Sequence, residues 1–253
     1  MGDTALYIET RIRADLDTLW SATQEPARHQ RWDLRFTEID YLPRGDGEPQ
    51  RFRYATRVLP FLTVAGTGVS AGEKERPDGT RTSALRFSSP HPLSLLAEGS
   101  GYWRYVPDGD GVRFLTGYDY RPRWGRPGVC LDRWLFRRLM GWATAWSFDR
   151  LRLWLERGIS PARALAHWLA EIAVRALVIG CAVTGLGMEA LLRLFGPLAP
   201  AMAYLWPLLL LWVVALALFL PPLPTTPAAR RCLRAPATRV RAPRLPRTLE
   251  NPR

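Results

Sequence analysis

The chain opens on a strict alternation. Leu6, Ile8, Thr10 and Ile12 take one parity and Tyr7, Glu9, Arg11 and Arg13 the other, the period of a strand covered on one face. Asp15 then predicts an N-cap for the helix DLDTLWSATQ, whose Leu16, Leu19 and Trp20 share a side, and Pro26 opens a second short helix through His29. Strand-forming runs follow at 36–42, 51–59, 61–71, 80–88, 95–106 and 112–121. Arg44-Gly45-Asp46-Gly47, Pro77-Asp78-Gly79 and Pro107-Asp108-Gly109-Asp110-Gly111 stand between them and supply the residues that hairpin loops demand. Successive hairpins of this kind predict an antiparallel sheet.

Past the break at 122–128 the period changes. Val129 to Gly158 reads as one long helix closed by Gly158 at its C′ position. Its apolar stripe, Leu131, Leu135, Leu139, Trp142 and Trp146, is expected to lie against a curved sheet. From Leu194 to Ala229 there is no charged residue, and Pro200–Leu220, at about 1.5 Å per residue, is long enough to cross roughly 30 Å of hydrocarbon. Pro207 removes one hydrogen bond from that span. A preceding segment, Trp168–Leu192, holds a charge-free run of only 13 residues, although Glu171/Arg175 and Glu189/Arg193 are i,i+4 pairs with the acid first. One or two transmembrane helices are therefore expected, about 168–192 and 200–220.

Charge separates the regions. Residues 1–158 hold 23 arginines and one lysine against 20 acids, whereas residues 224–253 hold 8 arginines against one glutamate, so the tail supplies most of the net +12. The folded part lacks the basic stripe of a nucleic-acid-binding domain. The tail is basic and Pro-rich and is expected to be disordered, lying on an anionic leaflet, with Cys232 a site for palmitoylation. With two spans, the N-terminal domain and the tail fall on the same side, which the positive-inside tendency makes cytoplasmic. Cys130, Cys181 and Cys232 have no metal or disulfide spacing, and the N-terminus shows no apolar run of a secretory signal.

The order strand, two short helices, antiparallel run, long helix resembles the START-like (SRPBCC) superfamily, which includes polyketide cyclases and coenzyme Q-binding proteins. ADLDTLWSATQEPARHQRWD looks like the family's opening, with Trp20 followed after Glu25-Pro26 by Trp32, and GSGYWRYVPDGDGVRFLTGYDY is similar to its penultimate hairpin, with Trp103 before the turn. The resemblance covers residues 1–158. It implies an α+β helix-grip fold, a curved sheet wrapped on the long helix around an apolar cavity for lipids, sterols, quinones or polyketides. No residue in these motifs is catalytic across the superfamily.

Period-2 counting places Phe52, Tyr54, Thr56 and Val58 on one concave row and Phe114, Thr116, Tyr118 and Tyr120 on another. With Trp20, Trp32, Phe36, Phe87, Trp142 and Trp146 they form the expected ligand-binding set, the tyrosine hydroxyls orienting an otherwise apolar molecule. Each of these aromatics could equally be core packing. Candidate acid/base groups are His29, four residues from Asp33, and Tyr118, with His29/Asp33 expected as a solvated pair at a helix end. Arginines 121, 123, 126, 133, 137 and 138 around Trp124 form a basic, aromatic patch that either touches lipid headgroups or is a solvated face interrupted by Asp132. No His/Cys/Asp/Glu cluster has metal-ligand spacing, and no motif for a nucleotide, a cofactor or a nucleophilic serine occurs. The partners implied are a hydrophobic small molecule and membrane lipids. Three functions stay open: a membrane-tethered carrier, a cyclase or dehydratase, and a structural membrane partner without ligand.

Overall fold

The computed structural model describes residues 5–195 and 200–236. Its contacts divide the chain into two units, residues 1–161 with 228–253, and residues 162–227. Seven strands, β1 (Leu6–Ile12), β2 (Glu38–Tyr41), β3 (Arg51–Leu59), β4 (Leu62–Glu75), β5 (Arg81–Ser88), β6 (Leu96–Asp108) and β7 (Gly111–Pro122), form one sheet in the order β1-β7-β6-β5-β4-β3-β2. Every neighbouring pair is antiparallel. The hairpin turns lie where the sequence places them, and β4 continues past a bulge at Gly72, whose φ of 125° suits a residue without Cβ.

Helices α1 (Leu16–Gln24) and α2 (Pro26–Trp32) carry the chain between β1 and β2, with Asp15 capping α1 through Thr18 N at 2.7 Å. After β7 come α3 (Gly125–Leu131), a π-helical turn (Asp132–Phe136) and α4 (Arg137–Arg157), with helical backbone at both junctions, so that they form one rod ending at Gly158 in the left-handed region. The rod is turned the opposite way from its apolar stripe. Thr144 and Phe148 meet Tyr118 and Phe114 of the sheet, while Trp142 and Trp146 sit roughly half a turn away, given about 3.6 residues per turn. Leu131, Leu135 and Leu139 are 39%, 39% and 50% exposed. The expectation that this stripe lies against the sheet is therefore corrected. The π-turn brings Asp132 inward, where Tyr120 Oη donates to it at 2.5 Å and Arg137 Nε at 3.0 Å.

The tail is also corrected over its described part. Leu233 exchanges both backbone hydrogen bonds with Glu9, each at 2.9 Å, and so covers the free edge of β1. Asp149, fully buried on α4, accepts from Ala228 N and Arg231 Nη1, both at 2.8 Å, and from Arg152 Nε at 2.7 Å. Backbone pairing and a buried charge network bind a segment whose composition alone reads as disordered. Cys232 is buried with Sγ donating to Ala145 O at 3.2 Å, and burial pushes its thiol up to about 12, which corrects the palmitoylation reading. Residues 237–253 lie outside the described residues.

In the second unit, α5 (Pro161–Phe195) is followed by α6 (Pro200–Phe219). Among the described residues the one helix long and apolar enough to cross a membrane is Pro161–Met188, which begins before the expected Trp168, and Leu205–Phe219 is a shorter apolar helix that contains Pro207. Glu171 and Arg175 pair as expected, at 2.6 Å. Arg175 also donates to Ala217 O (2.7 Å) and Pro221 O (3.2 Å), answering carbonyls at the end of α6 that have no partner within the helix. Gly185 lets Leu210 approach to where an added Cβ would stand 3.1 Å from its Cδ1. The two helices therefore form an antiparallel hairpin. The side chains of Glu189 and Arg193 lie outside the described residues.

Asp149→Ala is expected to cost about 3–5 kcal/mol, because Arg152 and Arg231 lose a buried counter-charge. The variant should also free the 228–233 strap. Thiol labelling of the native protein checks this: Cys232 should react far more slowly than Cys130 in the wild type and at a comparable rate in D149A.

Candidate functional site

The concave face divides into a closed end and an open bed. At the closed end Trp32, Phe114 and Phe148 are fully buried, with Phe114 stacked on Phe148 at 4.4 Å and Trp103 and Tyr105 at 5.9 and 5.0 Å from Phe114. Tyr105 meets Thr23 Oγ1 at 2.6 Å and accepts from Gln24 Nε2 at 2.8 Å, and Trp20 lies 5.0 Å from its ring. Packing of this density leaves these residues as core. Trp20 and Trp32 thus belong to the closed end, Trp32 with its indole donating to Ala22 O at 2.8 Å.

The open bed lies toward β3, β4 and β5, where Phe36, Phe52, Tyr54 and Phe87 are half-buried. Facing glycines make room for the rings. An added Cβ at Gly68 would stand 2.1 Å from Phe52, at Gly66 2.4 Å from Tyr54, and at Gly99 2.6 Å from Phe87. Gly66 and Gly68 thus accept cross-strand rings, while the bulge of β4 falls between Ser70 and Gly72. Phe36 connects the bed to the interior, 5.6 Å from Tyr54 and 5.3 Å from His29.

Between bed and closed end lies a buried polar network. Asp33 is 1% exposed and receives two bonds from Arg35, Nε at 3.0 Å and Nη2 at 2.7 Å, and one from His29 Nε2 at 3.0 Å. Arg35 stands 5.6 Å above the Tyr118 ring and 5.3 Å from that of Phe36, and Tyr118 Oη meets Thr144 Oγ1 at 2.9 Å. His29 is boxed by Trp32 (5.0 Å, stacked), Trp103 (4.8 Å, edge-on) and Phe36. The expected solvated pair is therefore a buried one. It is buried because α2 turns His29 against the Trp103 row, and Leu34 N bonds Ser147 Oγ of α4 at 2.8 Å, drawing the 33–37 loop inward.

Electrostatics follow from this packing. Burial holds the His29 imidazole below 6.5, against the opposing pull of Asp33. Burial would raise the Asp33 carboxyl, but the Arg35 charge and the bonds from His29 and Arg35 outweigh it and hold it far below the ordinary carboxylate range. Burial pushes the Tyr118 hydroxyl up, with Arg35 pulling it down, and burial takes Tyr54 up to about 12. A neutral imidazole whose Nε2–H is fixed by an anionic carboxylate carries its lone pair on Nδ1, which is the arrangement of a general base. All three tyrosines of the expected set remain protonated donors near neutral pH. Tyr120 is spent on Asp132, beneath Arg137.

Of the expected set, His29, Trp32, Phe36, Phe52 and Tyr54 join by successive ring contacts, and Tyr118 joins through Arg35. Trp142 and Trp146 stack on each other at 6.3 Å, on the side of α4 away from Thr144 and Phe148, and do not share the concave face. Val58 lies outside the described side chains. Arg35, Thr144 and Tyr105 were absent from the set. Tyr105 shares its parity with Trp103 and could have been found by counting, whereas Arg35 sits in a loop with no periodic signal. Among the described residues no group of three His, Cys, Asp or Glu is placed to hold a metal.

No family model matches the chain. A Bacillus subtilis (strain 168) protein named "Uncharacterized membrane protein YndG" is 49% identical over 164 residues, covering 64% of this chain, and the chain spans 61% of that protein's length. Solved structures that align include a STAR-related lipid transfer protein from Xanthomonas axonopodis, 17% identical over 62% of this chain and 96% of that one with a TM-score of 0.44. A START superfamily protein from Mycobacterium smegmatis is 14% identical over 54% and 90%, with a TM-score of 0.39. The strand order, the paired short helices and the closing rod place the first unit. It has the START-like helix-grip fold. At these TM-scores the neighbours assign no activity, and the fold stands on the domain's own topology.

Acid unfolding in detergent tests the network. Because the His29 value is lowered by folding, the unfolded chain takes up a proton there that the folded chain refuses, so its contribution to stability falls as pH drops through about 6.5. Asp33 acts at lower pH, where stability held above the carboxylate range is lost as that group protonates. In H29Q the loss that begins near pH 6.5 should diminish while the carboxylate phase stays. Asp33→Ala, which strands Arg35, is expected to cost about 3–5 kcal/mol in the same denaturation assay.

Proposed function

We propose that the protein is a membrane-tethered binding or carrier module for a hydrophobic small molecule of the lipid, quinone or polyketide-like class. The observation that carries this reading is the ring-on-glycine bed of Phe52, Tyr54 and Phe87, half-open and ending at the buried His29–Asp33–Arg35–Tyr118 network. An apolar floor with one polar end fits an elongated ligand that carries a carbonyl or hydroxyl group. The curved sheet and rod of the helix-grip fold supply the concave surface, and the family resemblance supplies the ligand class.

Tethering rests on α5 and α6 and on the likeness to a protein described as a membrane protein. The chain enters the apolar hairpin after Pro161 and returns at Ala228 to the unit it left. This return supports a reading in which both ends lie on one side of the bilayer and the number of crossings is even. Two spans satisfy this, with Pro207 carried in the second. The arginine excess of the tail makes that side cytoplasmic.

A second reading, an enzyme of the cyclase or dehydratase kind, draws on the His29/Asp33 pair alone. The two readings diverge in H29Q, which keeps a hydrogen-bond donor at the polar end: the carrier reading expects ligand retention to be weakened but kept, whereas the enzyme reading expects all turnover of an aromatic polyketide to be lost.

Native mass spectrometry with organic extraction of the full chain, purified in detergent, is expected to recover one apolar species in stoichiometric amount. Gly68→Val, which drives Phe52 into the bed, should lower that recovery at least tenfold, on the scale of about 1.4 kcal/mol of lost contact. A chain that folds, as judged by its unfolding transition, and yields no bound molecule would sink the carrier reading.

A further inference from the structure

The rod between β7 and α4 presents to solvent what a helix ordinarily hides. Trp124, Val129 and Trp134 are 45%, 40% and 68% exposed, and Arg126, Arg133 and Arg138 are exposed beside them. The single acid from Gly125 to Leu139 is Asp132, and it is 2% exposed, its carboxylate consumed by Tyr120 and Arg137. The outward face of this stretch is thus aromatic, aliphatic and positively charged, with no negative side chain. Its centre is a shallow groove lined by Gly125, Arg126, Val129, Cys130, Arg133 and Trp134. Trp124 is held in place at one border by its indole donating to Pro92 O at 3.0 Å, with φ at 67°, a conformation that a bulky side chain adopts only when its surroundings impose it.

We propose that this face is a docking surface for an anionic bilayer. Tryptophan favours the level of the headgroups, where its apolar ring and polar N–H are both served, and interleaved arginines answer lipid phosphates at that level. A water-facing surface gains nothing from Trp134 and Val129, and a contact between copies of the chain would juxtapose like charges. The π-turn is the device that makes the face, since it carries Asp132 inward and leaves its neighbours outside. The same rod shares its inner side with Tyr118 through Thr144, so docking would bring the binding domain against the leaflet that its ligand leaves or enters.

The proposal draws on the membrane-tethered reading for the proximity of a bilayer, and the experiment separates the two. Cys130 lies in the groove and is exposed, Cys232 is buried, and Cys181→Ser removes the other exposed thiol. The full chain carrying an environment-sensitive fluorophore at Cys130 is reconstituted with phosphatidylcholine alone or with added phosphatidylglycerol. With phosphatidylglycerol the emission should move to the blue and acrylamide quenching should fall. Arg126→Gln, Arg133→Gln and Arg138→Gln should each weaken the change roughly fivefold, and Trp134→Gln should reduce the blue shift without altering the dependence on lipid charge. Equal quenching in both lipids would overturn the proposal. So would a shift that the arginine variants leave intact, or one that follows protein concentration rather than lipid charge, since that marks a second copy as the occupant. Extraction of the chain by alkaline carbonate would overturn the anchor alone, because the probe still reads docking on added vesicles.

Discussion

A carboxylate removed from water must be answered by a cation or by donors, and three such carboxylates fix the joints of the first unit. Asp33, Asp132 and Asp149 are 1%, 2% and 0% exposed. Left unpaired, each would cost several kcal/mol. Asp33 draws Arg35 and His29 together beneath the sheet, Asp132 joins the rod to β7 through Tyr120, and Asp149 joins α4 to the strap that covers β1. The loops between these points have little freedom left. The site, the outward face of the rod and the return of the chain after its apolar hairpin all follow from these pairings.

They also explain why the rod is inverted. A helix across a purely apolar sheet would turn its leucines inward, but here Tyr118 and Tyr120 of the sheet meet Thr144 and Asp132 of the rod, and the loop that carries Arg35 meets Ser147 through Leu34 N. Leucines cannot satisfy those donors and acceptors, so Leu131, Leu135 and Leu139 occupy the other side, while Phe148 faces inward where the sheet is apolar, on Phe114. The N-terminal part of the rod thereby gains an interior network on one side and an exposed surface on the other. The two features have one cause.

The concave face works by the same division of labour. Where rings pack on rings, at Trp32, Phe114 and Phe148, the interior is closed and supplies stability. Where rings lie on glycines, at Phe52, Tyr54 and Phe87, side chains cover backbone without filling the space above it. The polar network stands at the boundary, which is where a ligand's one polar group would be recognised.

By itself the sequence determined the strands and their turns, the two short helices, the long closing helix, the apolar hairpin and the parity that places Phe52, Tyr54, Phe114 and Tyr118 on one face. These are properties of local periodicity and of residues such as Gly, Pro and Asp whose conformational preferences act within a few positions. Tertiary structure alone decided which side of the long helix met the sheet, that His29 and Asp33 are buried, that Arg35 joins them, and that the chain after residue 228 folds back on β1. In each of these, a charge or backbone group finds a partner distant in sequence, so the deciding energy is absent from any local window. The leucine stripe of the rod is the sharpest case. Its period was legible, but its direction depended on what waited on the sheet.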